Sequence, residues 1–527
     1  MALLVFVRPR PHRALALFVA GQMGLLALIL APLARPFALG ISSDRSIMLG
    51  QIGRVALGGS PYDHAQVDFS SLEPLFVLMT AAVTGGNPQN ASKALAAMSF
   101  IALGLAAMGF YWPWRRGARN RESEAWTGFF MALGFVSLSS FTISSLAAVP
   151  NPDSFLLWMG TFVFKPSHAI AFGTLGLVAG ARLDSARDAQ RLGVVLSILF
   201  WLFIVNWGFV VPSLVLAMAV GPWDTQKMKR TASAIALSAV AGAPYFVHLL
   251  GEYAPGKAQA AQIWGDTMGG ILNDWRLWGP VFAPTLLGWV VALRPAFAMR
   301  AERPFLWSLL ASPLWLAPSY LVGLRIGVAP EPDDALAFVQ LMVGAGAGMT
   351  LGRIAARLDL TSFFPPGRAF AATAAIFLFL SPQALFDPAS EERYARSLKP
   401  ISPAILAATE WIASNTPKDA VFVTGGDAAL FIPALTGRRV HLLERMRPPV
   451  DLLDRQQTEI TLLTSVEARE IKGVLGRHRI DYVAITPGLA LAYAMDEPRK
   501  LGARPWFEPV FVNSFLRILH VKDPSDY

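Results

Sequence analysis

Long uninterrupted apolar stretches recur along this chain, and they constrain its fold more than any other feature. An α-helix needs about 20 mostly apolar residues to cross a hydrocarbon layer of about 30 Å. Stretches that meet or approach this length lie near residues 14–38, 91–113, 125–149, 154–181, 192–206, 208–222, 231–251, 276–294, 305–324, 335–352 and 369–386. The sequence therefore predicts a polytopic α-helical membrane protein with about 11 spans.

The composition agrees with a membrane protein and excludes several classes of function. Only 15% of the 527 residues are charged and 54% are hydrophobic, whereas soluble domains are about a quarter charged. The absence of cysteine excludes disulfides, thiolate catalysis and Cys-ligated metal. The net charge of +9 comes from short basic clusters between apolar runs, so we expect no nucleic acid partner. Abundant Ala, Arg and Gly are typical of a bacterial protein.

The basic clusters also predict the orientation of the chain. They occur in RPRPHR, WRRGARNR, ARLDSARDAQR, WDTQKMKR, RPAFAMRAER and GRIAARLD, and the positive-inside rule places such clusters in the cytoplasm. Both ends of residues 192–222 then lie inside, which predicts a hairpin of two short helices there. We expect a multi-pass protein of the bacterial cytoplasmic (inner) membrane with its N-terminus in the cytoplasm.

The last part of the chain, residues 387–527, changes character. Its apolar runs shorten to strand length in AVFVTG, RRVHLLE, IDYVAITPG and PVFVNSFLRILHV, with helical stretches such as ISPAILAATEWIASNT and SVEAREIKGVLGRHR between them. This alternation is typical of an α/β domain. The sequence predicts a transmembrane catalytic domain, residues 1–386 with an outer loop at 39–90, and a soluble α/β domain, residues 387–527, on the periplasmic face.

The segment ISSDRSIMLGQIGRVALGGSPYDH, residues 41–64, follows the first apolar stretch. At 100° per residue, one arc carries Met48, Leu49, Ile52, Val55 and Ala56, and the other side carries Asp44, Gln51 and Arg54. This pattern predicts a short amphipathic helix lying flat on the outer leaflet. The next apolar piece, SSLEPLFVLMTAAV, has too few residues to span a bilayer, so we expect it to be interfacial or re-entrant.

Asp44 is the carboxylate on which the functional prediction depends. An aspartate at this place caps a helix, carries a solvated surface charge, or acts on a substrate held at the bilayer surface. In the last case it would accept a proton from an incoming hydroxyl as a general base.

The stretch from Asp44 to Asp63, DRSIMLGQIGRVALGGSPYD, resembles the pattern after the first span of GT-C glycosyltransferases, including mannosyl- and arabinosyltransferase-like enzymes. LEPLF resembles a proline-containing segment of the same family, with Pro74 where two prolines are common and Glu73 where an aromatic residue often stands. The resemblance implies a hexosyl- or pentosyltransferase that uses polyprenyl-phosphate sugars as donors. It also implies Asp44 as the catalytic base, with Tyr62 and Asp63 in the turn that follows.

A second outer segment contains FVFKPSHAIAF, followed by a helix that ends inside at Arg182. At 1.5 Å per residue, Lys165 stands about 25 Å above that arginine, at the outer interface. Pro166 suits the first turn of a helix, so Lys165 and His168 would meet the free N–H groups of a helix N-terminus. This arrangement predicts a site for the donor phosphate and resembles a Lys-Pro step of the same family. A snorkelling lysine and a packed histidine are the structural alternative.

Other polar residues at the outer face complete the predicted site. Arg276 and Arg325 would neutralise a phosphate oxygen or serve as anchors at the ends of spans. Asp153 is a second carboxylate for the acceptor or a divalent ion, or part of a simple Asn-Pro-Asp turn. No tight ligand spacing appears, so no metal residues are assigned, and a divalent metal is the cofactor left open. The acceptor-side candidates are Tyr62, Asp63, Glu73 and Asp153.

The predicted function is transfer of a sugar from a polyprenyl-phosphate donor to an envelope glycan or lipid acceptor, with inversion at the anomeric carbon. The partners are therefore a lipid-linked sugar, a glycan or glycolipid acceptor and membrane lipids. Residues 436–442, TGRRVHL, resemble the outer domain of these transferases, in which carbohydrate binding is common. The alternatives are a polyprenyl-linked glycan flippase or transporter, for which mid-membrane charges would be expected, and an O-antigen-ligase-like transferase.

Overall fold

The computed structural model of the chain describes residues 43–60, 73–94, 185–202, 204–220, 224–253, 401–442, 451–487 and 504–522, together with Leu183, Leu489 and scattered positions between residues 255 and 354. The chain divides into two compact units. The first comprises Met1–Pro32, Ala96–Phe246 and Met268–Arg396, and the second comprises Leu33–Leu95, Val247–Thr267 and Ser397–Tyr527. The second unit therefore joins the segment after the first apolar stretch to the end of the chain.

Three consecutive apolar helices belong mainly to the first unit: α3 (Ala186–Leu202), α4 (Ile204–Val220) and α5 (Thr225–His248). Tryptophan side chains connect them, because Trp201 Nε1 donates to Ala241 O at 3.0 Å and Trp207 Nε1 donates to Ser238 Oγ at 3.0 Å. Helices α3 and α4 lie in the region where the sequence predicts two short helices, residues 192–206 and 208–222, but each begins and ends a few residues earlier. Phe203, between them, lies outside the described residues, and the predicted membrane hairpin stays a prediction.

Helix α5 continues through a π-helical turn, Leu249–Tyr253. Within the residues that the structure describes, Thr225–Gly251 is the one helix, of 27 residues, that is long and apolar enough to cross a membrane. Three apolar side chains of this helix, Leu237, Val240 and Val247, are exposed on the surface of the isolated chain. Exposed apolar side chains are typical of a helix that contacts lipid.

The segment after the first apolar stretch forms two helices, α1 (Ser43–Ala56) and α2 (Glu73–Thr84). The predicted position of α1 on the lipid surface is wrong. Met48, Leu49 and Ile52 are at most 4% exposed within the protein, and Gln51 on the opposite side is 1% exposed. Helix α1 is therefore a buried helix whose apolar arc packs against protein.

Helix α2 is short, as its sequence predicts, and has two different faces. Val77, Thr80 and Ala81 are buried, and α2 packs against α1. Apolar side chains on its other side remain exposed: Leu75, Leu78, Met79 and Val83. With 12 residues, α2 is too short to span a bilayer.

Residues 401–522 contain a five-stranded sheet between helices. The helices are α6 (Pro403–Asn415), α7 (Asp427–Thr436), α8 (Leu452–Thr464) and α9 (Ala468–Arg477). The strands are β1 (Val421–Thr424), β2 (Arg439–Val440), β3 (Tyr482–Ile485), β4 (Phe507–Val512) and β5 (Arg517–Val521). Their order is β2-β1-β3-β5-β4, with β1 parallel to β2 and β3, and β5 antiparallel to β3 and β4. Strands β1, β2 and β3 lie within segments that the sequence predicts as strand-like, whereas the single predicted run PVFVNSFLRILHV, residues 509–521, contains β5 and most of β4, which begins at Phe507.

Alternation along the strands creates a core on each side of the sheet. Val423, Val483 and Leu519 face one cluster, which includes Leu462 of α8 and Ile471 of α9. Their strand neighbours face the second cluster, which contains Phe422, Tyr482, Ile518, Ala408 of α6 and Ile432 of α7. Because both faces are covered, the central strands are apolar at successive positions rather than alternating with polar residues.

Neither edge strand of the sheet is long and regular. Strand β2 has only two residues in the described part of the chain. Strand β4 carries Glu508 and Pro509, and its pairing with β5 shifts register between Pro509 and Phe511. Proline lacks an N–H donor, so β4 cannot present a continuous row of hydrogen-bonding groups on its outer side.

Candidate functional site

The structure describes the backbone of two predicted site residues. Asp44 lies in the first turn of α1 and Glu73 is the first residue of α2. The remaining predicted site residues lie outside the described residues: Tyr62, Asp63, Asp153, Lys165, His168, Arg276 and Arg325. The site is therefore built here from α1 and the groups that hold it.

Helix α1 packs closely on α7 through two glycines. A Cβ atom on Gly50 would stand 2.9 Å from Pro433 Cβ, and one on Gly53 would stand 3.1 Å from Gly437 Cα. Both separations are shorter than ordinary carbon–carbon contact of about 3.5–4.0 Å. The two helices can approach this closely because neither glycine has a side chain.

Gly437 forms the other half of this contact. It ends α7 in the left-handed conformation, φ +66°, and its N–H donates to Pro433 O at 2.8 Å. Glycine is the usual residue at such a helix end. A Cβ atom here would also stand 2.7 Å from the carbonyl carbon of Gly53. Backbone conformation and packing therefore both require glycine at position 437.

Arg54 adds a polar connection to the same interface. Its side chain is largely buried, and Nη1 donates to Lys418 O at 2.8 Å, in the turn before β1. The adjacent Asp419 has a lowered pKa, chiefly because Arg479 donates a hydrogen bond to its carboxylate and to a smaller extent because of the charge of Arg54. Arg54 thus links α1 to the turn before β1, in addition to the glycine contacts between α1 and α7.

The end of α1 also meets the turn after α2. Gly86, at φ +75°, lies against the Ala56 side chain so closely that a Cβ atom would overlap it. Helix α1 is therefore held on two sides, by α7 and by the α2 turn. Sequence analysis missed this role of Gly50, Gly53 and Arg54, although glycine inside a helical pattern costs about 1 kcal/mol relative to alanine and so suggests a packing reason.

Arg438 is a buried cation that joins helix ends, within the segment TGRRVHL. Its guanidinium donates to Ala413 O, Thr416 O and Thr436 O at 2.8–3.1 Å and to Thr416 Oγ1 at 3.3 Å. These acceptors belong to the C-terminal ends of α6 and α7, where carbonyls lack helical partners. Arg438 is 4% exposed, so its observed role is structural rather than contact with a carbohydrate.

His441, in the same segment, is also buried. Its ring packs edge-on against His478 with centroids 4.9 Å apart, and His478 Nε2 lies 2.7 Å from Asp454 Oδ2. Burial, with the nearby charge of Arg455, lowers the pKa of His441 to about 4. Within the part of the chain that the structure describes, no group of three or more His, Asp or Glu residues is arranged to hold a metal ion.

The lowered pKa of His441 predicts a loss of stability in acid. In the unfolded chain the imidazole takes up its proton near pH 6.5, whereas in the folded chain it does so near pH 4. Between these values the unfolded state binds more protons than the folded state. The free energy of unfolding therefore decreases as the pH is lowered from about 6.5 to about 4, by up to about 3 kcal/mol. Urea unfolding of the full chain at a series of pH values measures this slope.

His441→Gln removes the titrating group and should flatten the slope of the free energy of unfolding against pH. An equal slope in wild type and His441→Gln would show that another group causes the acid sensitivity.

Comparison with known proteins gives structural similarity and no sequence family. No protein-family model matches the chain, and no curated protein matches its sequence. Solved structures that match include the Archaeoglobus fulgidus oligosaccharyltransferase in complex with Zn and sulfate, at TM-score 0.41 and 11% identity. The same enzyme tethered with an acceptor peptide containing the NVT sequon matches at TM-score 0.36 and 12% identity.

A third match is the archaeal oligosaccharyltransferase from Archaeoglobus fulgidus in complex with an inhibitory peptide and a dolichol-phosphate, at TM-score 0.32 and 13% identity. These matches cover 85%, 94% and 85% of this chain for the peptide-tethered, zinc and dolichol-phosphate structures. This chain in turn spans 65%, 71% and 66% of their lengths. All three of these structures are of the Archaeoglobus fulgidus oligosaccharyltransferase.

Proposed function

We propose that this protein is a membrane glycosyltransferase that moves a hexose or pentose from a polyprenyl-phosphate donor to an envelope glycan or lipid acceptor. The observation that carries the proposal is the match of Asp44 to Asp63 with the GT-C pattern, with Asp44 in the first turn of a helix. The proposed location is the outer face of the bacterial cytoplasmic membrane. The proposed architecture has about 11 spans in residues 1–386 and a periplasmic domain at 387–527.

The proposed reaction is one displacement at the anomeric carbon. Asp44 takes the proton of the acceptor hydroxyl as its oxygen bonds to that carbon. The bond between the carbon and the phosphate oxygen breaks, and polyprenyl phosphate leaves with the electron pair. A single displacement inverts the anomeric configuration.

The leaving phosphate requires cations, because negative charge develops on it as the bond breaks. Lys165 and His168 are the proposed first contacts, with Arg276 and Arg325 in support. Carboxylates and a phenol complete the acceptor side in this proposal: Tyr62, Asp63, Glu73 and Asp153. A polyprenyl-phosphate donor also suits a chain in which no P-loop or dinucleotide fingerprint opens a helix.

The test is sugar transfer by the full chain in lipid vesicles. Radiolabelled polyprenyl-phosphate sugars should serve as donors and nucleotide sugars should not. Lys165→Ala should raise the KM for the lipid-linked donor by about tenfold or more, because a charge-assisted hydrogen bond contributes about 1.5–3 kcal/mol. The initial transfer rate at a series of donor concentrations measures this change.

The matched control is Lys472→Ala, which removes an exposed lysine from α9 and should leave KM unchanged. An unchanged donor KM in Lys165→Ala would contradict the phosphate site. Donor movement across the membrane without any transfer would favour the flippase alternative.

A further inference from the structure

We propose that the α/β part of the chain positions the catalytic carboxylate, because α1 stays docked on α7 throughout the reaction. This inference rests on the proposed function, in which Asp44 is the base. It assigns Gly50, Gly53 and Gly437 as positioning residues. Their backbones, rather than their side chains, set where α1 and therefore Asp44 stand.

Helix α1 connects Asp44 rigidly to the glycines that contact α7. Asp44 and Gly50 belong to one uninterrupted helix, α1, and six residues of helix span about 9 Å. A displacement of α1 at Gly50 or Gly53 is therefore carried to the first turn, where Asp44 lies. General-base catalysis is sensitive to such movement, since a misplacement of about 1 Å can reduce a rate about 10²-fold.

The contact between α1 and the end of α7 leaves no room for a side chain at Gly53. At Gly53, Gly437 Cα and Gly437 N lie 3.1 and 3.3 Å from where a Cβ atom would stand. These neighbours are backbone atoms, so a methyl group cannot be accommodated by rotation of a side chain. The helices would have to move apart by a few tenths of an ångström or more.

Helix α1 is also fixed by contacts other than those of its glycines with α7. Arg54 Nη1 donates to Lys418 O at 2.8 Å, on the side of β1. Gly86 closes against Ala56 at the C-terminal end of α1. Contacts with α7, with the turn before β1 and with the turn after α2 together define one position for the helix.

Gly53→Ala is the first test. We expect kcat to fall several-fold to about tenfold, since a misplacement of about 1 Å costs about 10²-fold and this displacement is a few tenths of an ångström or more. The KM for the lipid-linked donor and the urea midpoint should change little, because alanine also favours the helix. A merely structural role would instead lower the amount of folded enzyme and leave the kcat of the folded fraction unchanged. Wild-type kcat in Gly53→Ala would overturn the inference.

Two controls separate packing from backbone effects. Gly473→Ala adds a methyl group to helix α9, where nothing lies within 4 Å of the new atom, and should leave kcat unchanged. Gly437→Ala combines a left-handed conformation with the close contact, whereas Gly426→Ala has φ +60° and open space. Loss of kcat in Gly437→Ala but not in Gly426→Ala would identify the contact as the cause.

A disulfide provides the decisive test, because the chain contains no cysteine. The Cβ atoms of Gly50→Cys and Pro433→Cys would start 2.9 Å apart, within about 1 Å of disulfide geometry. We expect the oxidised double variant to turn over at the rate of its reduced form. An oxidised form that is inactive and recovers on reduction would show that α1 must leave α7, and would overturn the inference.

The two levels of proposal fail differently. A wild-type chain that transfers no sugar from any polyprenyl-phosphate donor contradicts the proposed function. A wild-type chain that transfers sugar but is stopped by the crosslink contradicts only the positioning role. Each cysteine alone, compared with and without oxidant, shows whether the thiols themselves affect the rate.

Discussion

Replacing Asp44 by Asn is expected to lower the rate of sugar transfer by about 10²–10⁴-fold, the usual contribution of a positioned general base. The amide has the shape of the carboxylate but cannot accept the acceptor proton. Folding should be retained, since loss of a negative charge in the first turn of a helix costs only about 0.3–1 kcal/mol. Single-turnover transfer from a radiolabelled polyprenyl-phosphate sugar measures the chemical step directly.

The matched control is Asp224→Asn. Asp224 Oδ1 accepts a hydrogen bond from Lys227 N at 2.7 Å at the start of α5, and an asparagine oxygen can do the same. This variant should keep the wild-type rate, which would show that loss of a carboxylate at a helix start is not itself harmful. Near-normal single-turnover transfer by Asp44→Asn would remove Asp44 as the base.

Replacing Arg438 by Leu is expected to lower the free energy of unfolding of the α/β part by about 4.5 kcal/mol or more. Three carbonyl groups at the ends of α6 and α7 lose a charge-assisted hydrogen bond, each worth about 1.5–3 kcal/mol. Burial lowers the pKa of Arg438. Because the site is buried, little water is present to replace the guanidinium as the partner of these carbonyl groups. Pulse proteolysis of the full chain in increasing urea, following cleavage within residues 401–522, measures the loss.

Arg469→Leu is the comparison for this variant, because Arg469 is exposed on α9 and its loss should change the urea midpoint little. A midpoint in Arg438→Leu equal to that of Arg469→Leu would mean that water satisfies the three carbonyls as well as the guanidinium does. Reduced binding of carbohydrate at a wild-type urea midpoint would instead support a ligand role for TGRRVHL.

Local spacing predicts much of the fold. Apolar residues at helical spacing indicate α1, and the length of the next apolar piece indicates that α2 cannot span. The separate helices α3 and α4 follow from the charge at both ends of residues 192–222. Strands β1 and β3 are continuous apolar runs bordered by turn residues. In each of these cases the deciding signal is local in the sequence.

The partner of α1 is what local spacing could not predict. Leu49 and Ile52 suit a lipid surface and a protein interior equally well, so an apolar arc does not say which of the two covers it. The deciding contacts join α1 to residues far along the chain, such as Arg54 to Lys418, 364 positions later. Gln51 is buried although its type favours the surface. The relation between Asp44 and Lys165 stays a prediction for the same reason, because it depends on contacts distant in sequence.

The interrupted outer strands determine how copies of the protein behave beside one another. An unpaired strand edge can recruit the same edge of a second molecule and start a growing stack. Among the described residues, one edge of the sheet consists of Arg439 and Val440, and the other is broken by Pro509 and the register shift next to it. Neighbouring molecules at high concentration therefore cannot add a continuous strand to either described edge. We expect the sheet to resist edge-to-edge polymerisation even when no other protein covers its edge strands.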